Sequence, residues 1–190
     1  MKVGLFFGSF NPIHIGHLII ANHILEYAKI DHIWFVVSPQ SPFKTRTSLL
    51  GEFDRLHLVE SAIVNDSRMR SCNIEFTLSK PSYTIDTLVC LKEKYPTYNF
   101  SLIMGSDNLE SFHKWKNYES ILKQYEILVY NRAKEIKTSL ANHNSVHIYD
   151  APILKISSSY IRECIKNNKS IKYLVPEEVI HQIEASSYYK

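Results

Sequence analysis

The stretch KVGLFFGSFNPIHIGHLIIANHILEYA, residues 2–28, decides the fold of this chain. It opens with a short apolar run that ends at Gly8, which has the length and composition of a buried strand. From Leu18 to Ala28, apolar residues recur every three to four positions, the spacing of a helix with one buried face. The stretch therefore predicts a strand, a loop and a helix in that order.

The next segments repeat this order. Residues 33–37 (IWFVV) are an apolar run without alternation, which is typical of a strand covered on both faces in a parallel sheet. Between Phe53 and Ile63 the apolar residues recur on one helical face, and the pattern places Arg55 among the charged residues of the opposite face. A second strand and a second helix therefore follow the first pair.

The alternation continues to the end of the chain. The predicted strands lie near 70–77 and at 100–104, 126–130 and 146–149, and the predicted helices lie at 84–95, 109–112 and 118–123, from Ser158 and from Pro176. This order predicts the α/β class: a Rossmann-like open parallel sheet with helices on both faces and a small C-terminal helical subdomain at about 156–190. Ligands of such sheets bind at the carboxyl ends of the strands. We expect residues 1–190 to form a single domain.

The composition is that of a globular protein. The chain has 190 residues, 45% hydrophobic and 22% charged, which excludes general disorder. The 22 Lys and Arg against 19 Asp and Glu leave a net charge of +3 with the basic residues scattered, so we expect no nucleic-acid partner. No apolar run approaches the roughly 20 residues that span a bilayer, so we expect no membrane association and a cytoplasmic location. Three widely spaced cysteines favour reduced thiols over disulfides.

The loop at residues 8–17 has the features of a binding loop. Three of the five glycines fall in the first sixteen residues, yet neither the dinucleotide-binding glycine fingerprint nor a P-loop is present. The helix after the loop offers free N–H groups at its N-terminus, where anions bind. His14 and His17 are three residues apart and could both donate to phosphate oxygens there. The spacing alone leaves open a metal site, although no third ligand is nearby, and a purely structural pair.

Two signatures point to a family. GSFNPIHIGH at 8–17 resembles the first signature of the nucleotidyltransferase superfamily with the H-x-G-H motif, and ISSSYIR at 156–162 resembles the second. Residues 81–88, 104–107 and 170–176 also look like segments of bacterial nicotinate-nucleotide adenylyltransferases, so the resemblance covers nearly the whole length. It implies a single nucleotidyltransferase domain.

The resemblance implies adenylyl transfer from ATP to nicotinate mononucleotide, giving nicotinate adenine dinucleotide and pyrophosphate, a step of NAD biosynthesis. In that family the mononucleotide phosphate attacks the α-phosphorus directly, without a covalent enzyme intermediate. His14, His17 and Arg162 match the catalytic positions, and each donates to oxygen without attacking phosphorus. The expected partners are ATP and nicotinate mononucleotide, with Mg²⁺ bound mainly through the ATP phosphates and no protein metal site. Assembly into a homo-oligomer stays open.

The second signature also has a purely structural interpretation. Ser157 and Ser158 precede a helix, so they either cap its N–H groups or leave them for a phosphate. Arg162 follows Ser158 by about one helical turn, so its guanidinium can reach the same anion. The resemblance implies an ATP site formed by both signatures and the segment 104–107: Gly8, Ser9, Phe10, His17, Gly105, Asp107, Ile156, Ser157, Ser158 and Arg162. Asp107 would accept ribose hydroxyls, and its structural alternative is a helix cap.

Substrate choice is expected in the middle of the chain. Trp115 lies among polar neighbours, and its indole either stacks on a pyridine ring or fills the core. The resemblance implies that Trp115 stacks on nicotinate. It also implies that Thr84 and main-chain N–H groups near Thr84 and Lys116 hold the ring carboxylate, although Lys116 could simply be solvated. Lys44 and Arg132 match phosphate ligands of the family.

Departures from the family pattern put some positions in doubt. Phe43 stands where a histidine is common, and Ala133-Lys134 replaces a usual Pro-Gly. Asn11 stands where Asp is frequent and Ser159 where Thr is usual, and we expect both to be tolerated. The alternatives are nucleotidyl transfer to another acceptor, such as phosphopantetheine, and an inactive nucleotide-binding regulator. The strictness for nicotinate over nicotinamide mononucleotide stays open.

Overall fold

The chain alternates strands and helices, and the computed structural model describes residues 1–39, 49–131, 136–152 and 154–190. Within these residues the strands are β1 (Lys2–Gly8), β2 (His32–Val37), β3 (Met69–Cys72), β4 (Asn99–Gly105), β5 (Glu126–Tyr130) and β6 (Val146–Tyr149). The α-helices are α1 (Ile15–Tyr27), α2 (Glu52–Ile63), α3 (Thr84–Lys94), α4 (Ser106–Ser111), α5 (Tyr118–Gln124), α6 (Ser158–Lys166) and α7 (Glu177–Ala185). Short 3₁₀ helices lie at Ile74–Thr77, Phe112–Lys114 and Ser139–Asn142.

The strands form one parallel sheet in the order β3-β2-β1-β4-β5-β6. The prediction of a Rossmann-like open parallel sheet is confirmed. The chain winds outward from β1 to β3 and then returns to the other side of β1, so the direction of winding changes between β1 and β4. A crevice opens at such a change, outside the carboxyl ends of the two strands. Gly8 and Gly105 end β1 and β4 and border this crevice.

Each strand contributes side chains to two hydrophobic layers. Phe6 and Phe35 belong to the first layer, which α1, α2, α6 and α7 cover. Leu5 and Trp34 belong to the second layer, which α3, α4 and α5 cover. Both faces of the sheet are therefore buried, which explains the uninterrupted apolar run of β2. None of the helices described is long and apolar enough to cross a bilayer.

The predicted strand at 70–77 is wrong beyond Cys72, because the chain turns into a 3₁₀ helix at Ile74–Thr77. The turn carries the Glu75 side chain inward, where it is 3% exposed. Its carboxylate accepts from the Thr87 hydroxyl at 2.8 Å and from the Ser82 hydroxyl at 3.1 Å. These bonds to α3 and the segment before it are unavailable to a side chain on a continuing edge strand.

The placement of Arg55 on the polar face of its helix is also wrong. Arg55 lies in the first turn of α2, and its side chain is 0% exposed. The periodicity could not show this, because main-chain carbonyls from other segments satisfy the buried guanidinium.

Candidate active site

The loop after β1 is held against the core by Phe10. The Phe10 side chain is 2% exposed, and its ring centroid lies 5.1 Å from that of His17 and 5.5 Å from that of Phe35. A Cβ atom at Gly8 would lie 2.7 Å from the Phe10 ring, so only glycine fits there without a shift. Phe10 has a φ of 43°, in the left-handed region. Because its ring is buried, Phe10 can offer a ligand its main chain only.

His14 and His17 form a stacked pair where this loop enters α1. Their ring centroids are 3.7 Å apart, and 24° separates the ring planes. His14 is the N-cap residue, and its main-chain N–H donates to Nδ1 of His17 at 3.2 Å. Since an accepting Nδ1 carries no proton, this bond assigns the proton of a neutral His17 to Nε2. The pair therefore presents a directed N–H donor beside the positive end of a helix.

The second signature lies directly against the first. Ser157 caps α6, its hydroxyl accepting a main-chain N–H of the first turn at 3.2 Å. The Ser158 hydroxyl donates to the Pro12 carbonyl at 2.8 Å, across 146 positions of sequence. The Arg162 guanidinium donates through Nη1 to the Asn11 carbonyl at 2.8 Å, across 151 positions. Two segments far apart in sequence thus form one wall of the crevice.

The end of β4 supplies the opposite wall. Helix α4 begins at Ser106, earlier than the predicted residue 109, with Gly105 as its N-cap. Asp107 is exposed in the first turn of α4, where the helix N-terminus stabilises a carboxylate. A Cβ atom at Gly105 would clash with the Asp107 carboxylate and lie 3.3 Å from the Tyr130 ring, so glycine leaves room for both side chains. Asp107 therefore lies at the same edge of the sheet as the first signature.

A second region of predicted contacts forms where the Trp115 segment meets α3. Trp115 is half-buried and packs against the second hydrophobic layer, so its indole is partly in the core and partly accessible. The Lys116 ammonium lies 3.0 Å from the Asp86 carboxylate and 4.7 Å from the centre of the Tyr83 ring. Thr84 is the first residue of α3, beside these partners. The structure thus brings Thr84 and Lys116 to one region, where the exposed Lys116 is ion-paired with Asp86.

The remaining predicted positions differ in what the structure describes. Ile156 is half-buried and packs against the first hydrophobic layer, so it anchors the start of the second signature. Lys44 and Arg132 lie outside the described residues, as do Phe43 and residues 133–134.

Comparisons with known proteins give the family. A cytidylyltransferase-like family profile matches residues 5–164. The chain is 52% identical over its full length to the "Probable nicotinate-nucleotide adenylyltransferase" of Cytophaga hutchinsonii, of which it covers 98%. It is 51% identical to the protein of the same name from Flavobacterium psychrophilum, and both chains are covered completely. The chain belongs to the nicotinate-nucleotide adenylyltransferase family. The resemblance drawn from the two signatures is confirmed, and the protein is a nucleotidyltransferase.

Solved structures of this family share the fold. The nicotinic acid mononucleotide adenylyltransferase of Plasmodium falciparum, complexed with NaAD, matches with a TM-score of 0.80. The match covers 99% of this chain and 97% of that one at 22% sequence identity. A putative nicotinate-nucleotide adenylyltransferase from Vibrio parahaemolyticus matches with a TM-score of 0.72 at 19% identity, covering 99% and 94%.

Two polar groups near the candidate site of this nucleotidyltransferase were not predicted from the sequence. The Tyr189 hydroxyl donates to Oδ1 of Asn11 at 2.9 Å, across 178 positions, and the Leu50 N–H donates to the same oxygen at 3.2 Å. Burial raises the pKa of Tyr189 above its usual range, against the lowering effect of the Arg162 and Arg55 charges. Nothing in the sequence near Tyr189 signals this contact, because its partner lies in the first loop.

Glu75 is the second missed group. Burial raises the pKa of its carboxyl, while hydrogen bonds from the Thr87, Ser38 and Ser82 hydroxyls act in the opposite direction. These three hydroxyls come from α3, from the segment before it and from the segment after β2. Glu75 therefore ties the start of α3, where Thr84 lies, to the carboxyl edge of the sheet.

Proposed function

We propose that this nucleotidyltransferase transfers the adenylyl group of ATP to nicotinate mononucleotide, giving nicotinate adenine dinucleotide and pyrophosphate in NAD biosynthesis. The observation that carries the proposal is the contact between the two signatures at the crevice between β1 and β4. There the stacked histidines of the first signature and Arg162 of the second meet at the same loop. The names of relatives that match along their whole length support the choice of acceptor.

The reaction is a direct displacement at the α-phosphorus of ATP. A phosphate oxygen of nicotinate mononucleotide forms the new bond, and the bond from the α-phosphorus to the bridging oxygen of the pyrophosphate breaks. Pyrophosphate leaves with that electron pair, so no enzyme nucleophile is required. Catalysis then rests on positioning the two substrates and on stabilising the charge that develops on the phosphate oxygens.

His17 suits this task because its Nε2–H is directed by the bond at Nδ1. In the proposed mechanism it donates to an oxygen of the reacting phosphate, beside the positive end of α1. Arg162, already bonded to the same loop, adds a fixed positive charge.

Magnesium is proposed to arrive as part of the ATP substrate. Within the described ranges, no group of three or more His, Cys, Asp or Glu side chains could hold a metal ion. Mg²⁺ prefers oxygen ligands and commonly binds through substrate phosphates and water, so we assign it no protein ligand. On the ATP phosphates the cation would neutralise charge that the leaving pyrophosphate carries.

The region formed by Trp115, Lys116 and Thr84 is the proposed nicotinate site. The accessible part of the indole would stack on the pyridine ring, and the N–H groups at the start of α3 would receive the ring carboxylate. Because Asp86 offsets the Lys116 charge, recognition of the carboxylate rests on these N–H groups. Asp107 is proposed to bind ribose hydroxyls, and Lys44 and Arg132 to bind phosphate.

The test is pyrophosphate release from ATP and Mg²⁺ with three acceptors: nicotinate mononucleotide, nicotinamide mononucleotide and phosphopantetheine. We expect the specificity constant for nicotinate mononucleotide to exceed that for the amide by about ten- to a hundred-fold, because the amide places a donor against N–H groups. Equal constants for the two mononucleotides would make the enzyme dual-specific. Turnover with phosphopantetheine but with neither mononucleotide would overturn the proposed acceptor.

A further inference from the structure

Arg55 is a buried charge that the reaction as described does not use. Its guanidinium donates to four main-chain carbonyls: Ser9 at 2.6 Å, Ser38 at 2.8 Å, Leu50 at 2.9 Å and Pro39 at 3.0 Å. These carbonyls belong to the loop after β1, the segment after β2 and the segment before α2. One side chain therefore joins three segments at the carboxyl edge of the sheet.

Stability alone is a poor reason for a guanidinium at this position. Burial lowers the pKa of Arg55, which reports the cost of keeping the charge away from water. Replacing buried ionic groups with apolar side chains of similar volume is often neutral or stabilising. What an apolar side chain cannot do is fix the direction of several carbonyls, since this requires the planar fork of donors.

The bond to Ser9 sets the orientation of the peptide unit that leads into Phe10. In a trans peptide the carbonyl of Ser9 and the N–H of Phe10 point in opposite directions, and the bond between these residues is not among the cis bonds of the described chain. With the carbonyl turned inward to Arg55, the Phe10 N–H points outward from the core. The Ser38 N–H holds the preceding Gly8 carbonyl at 2.9 Å, so consecutive peptide units are held.

This part of the loop needs such restraint. Phe10 has a φ of 43°, which is uncommon for a residue with a side chain and persists only where the surroundings enforce it. The buried ring of Phe10 and the bond from Arg55 to the Ser9 carbonyl restrain the peptide unit between Ser9 and Phe10 from its two ends.

We propose that Arg55 is a positioning residue that holds the loop after β1 so that its outward N–H groups bind the ATP phosphates. The inference rests on the proposed function, because it assumes that this loop receives ATP. Arg55 touches no substrate and acts through the Ser9 carbonyl.

The test compares Arg55→Lys with the unaltered enzyme. Lysine keeps a positive charge but cannot reach carbonyls on three segments with one ammonium group. Binding of a non-hydrolysable ATP analogue and of nicotinate mononucleotide is measured separately by calorimetry, with Mg²⁺ present. We expect the Kd of the ATP analogue to rise by about tenfold or more and that of the mononucleotide to change by less than about twofold. Hydrogen exchange in a peptide spanning residues 8–11 should become faster.

Val59→Ala is the matched control. Val59 lies one turn further along α2 and is 0% exposed in the first hydrophobic layer. It should lower the melting temperature without changing the ratio of the two affinities. If Arg55→Lys does not fold, Arg55→Gln removes the buried charge and is judged by the same ratio.

The outcomes separate the inference from the function. A folded Arg55 variant with both affinities unchanged, or with both weakened equally, would overturn the positioning role and leave Arg55 as a structural residue. If the unaltered enzyme binds neither nucleotide, the proposed function itself fails.

Discussion

Two substitutions can separate the roles of the two ring nitrogens of His17. The Oδ1 atom of asparagine occupies about the position of Nδ1, so His17→Asn keeps an acceptor for the His14 N–H. The amide nitrogen of glutamine reaches about the position of Nε2, so His17→Gln keeps a donor toward the phosphate. Both variants lose the stacking on His14, which therefore cancels in the comparison.

The two variants should fail in different ways. Loss of a donor that stabilises the transition state costs roughly 10²- to 10³-fold in kcat, about 2.7 to 4 kcal/mol, and this is the expectation for His17→Asn. His17→Gln should lose about tenfold, because a flexible amide is positioned less well than a ring held at Nδ1. It also leaves the His14 N–H without its acceptor at 3.2 Å, which should cost about 1 kcal/mol and lower the Tm by about 2 to 4 °C.

The assay is steady-state pyrophosphate release with ATP and nicotinate mononucleotide, together with thermal unfolding of each variant. We expect the glutamine variant to be the more active of the two and the asparagine variant to have the higher Tm. Near-normal turnover by folded His17→Asn would refute the donor role of Nε2, and equal losses in both variants would refute the assignment of separate roles.

Three further changes test neighbouring parts of the site. Trp115→Ala should raise the KM for nicotinate mononucleotide far more than that for ATP, since stacking on a ring is worth roughly 1 to 3 kcal/mol. Trp115→Phe should keep most of the stacking and so change this KM little, and equal changes in both KM values for Trp115→Ala would indicate packing alone. Tyr189→Phe removes one of two hydrogen-bond donors to Asn11 Oδ1 and leaves the Leu50 N–H in place. The free energy of unfolding should fall by about 1 kcal/mol and the Tm by about 2 to 4 °C, and an unchanged Tm would contradict the bond. Glu75 has a raised pKa in the folded state, so its contribution to stability falls as pH rises from the ordinary value of about 4.3 through the raised one, and Glu75→Gln should gain stability relative to the unaltered protein across that window. Denaturant unfolding from about pH 4 to about pH 8 measures the difference, and a difference independent of pH would exclude Glu75 as the titrating group.

The order of strands and helices was readable from residues close together in sequence. The uninterrupted apolar run of β2 predicted a strand buried on both faces, and the two layers explain it. The family was readable for a different reason: phosphoryl transfer needs donors of particular types, and both signatures keep His14, His17 and Arg162 at recognisable spacings.

Contacts between distant segments were decided by the tertiary structure alone. Arg55 has the sequence neighbours of a solvent-facing residue, and only carbonyls as far as 46 positions away make its burial tolerable. Tyr189 reaches Asn11 across 178 positions. The strand predicted near 70–77 ends early because Glu75 turns inward to hydroxyls of α3 and of the segment before it. Local periodicity reports which face of an element is apolar, but a buried polar side chain depends on partners that the fold brings together from elsewhere in the chain.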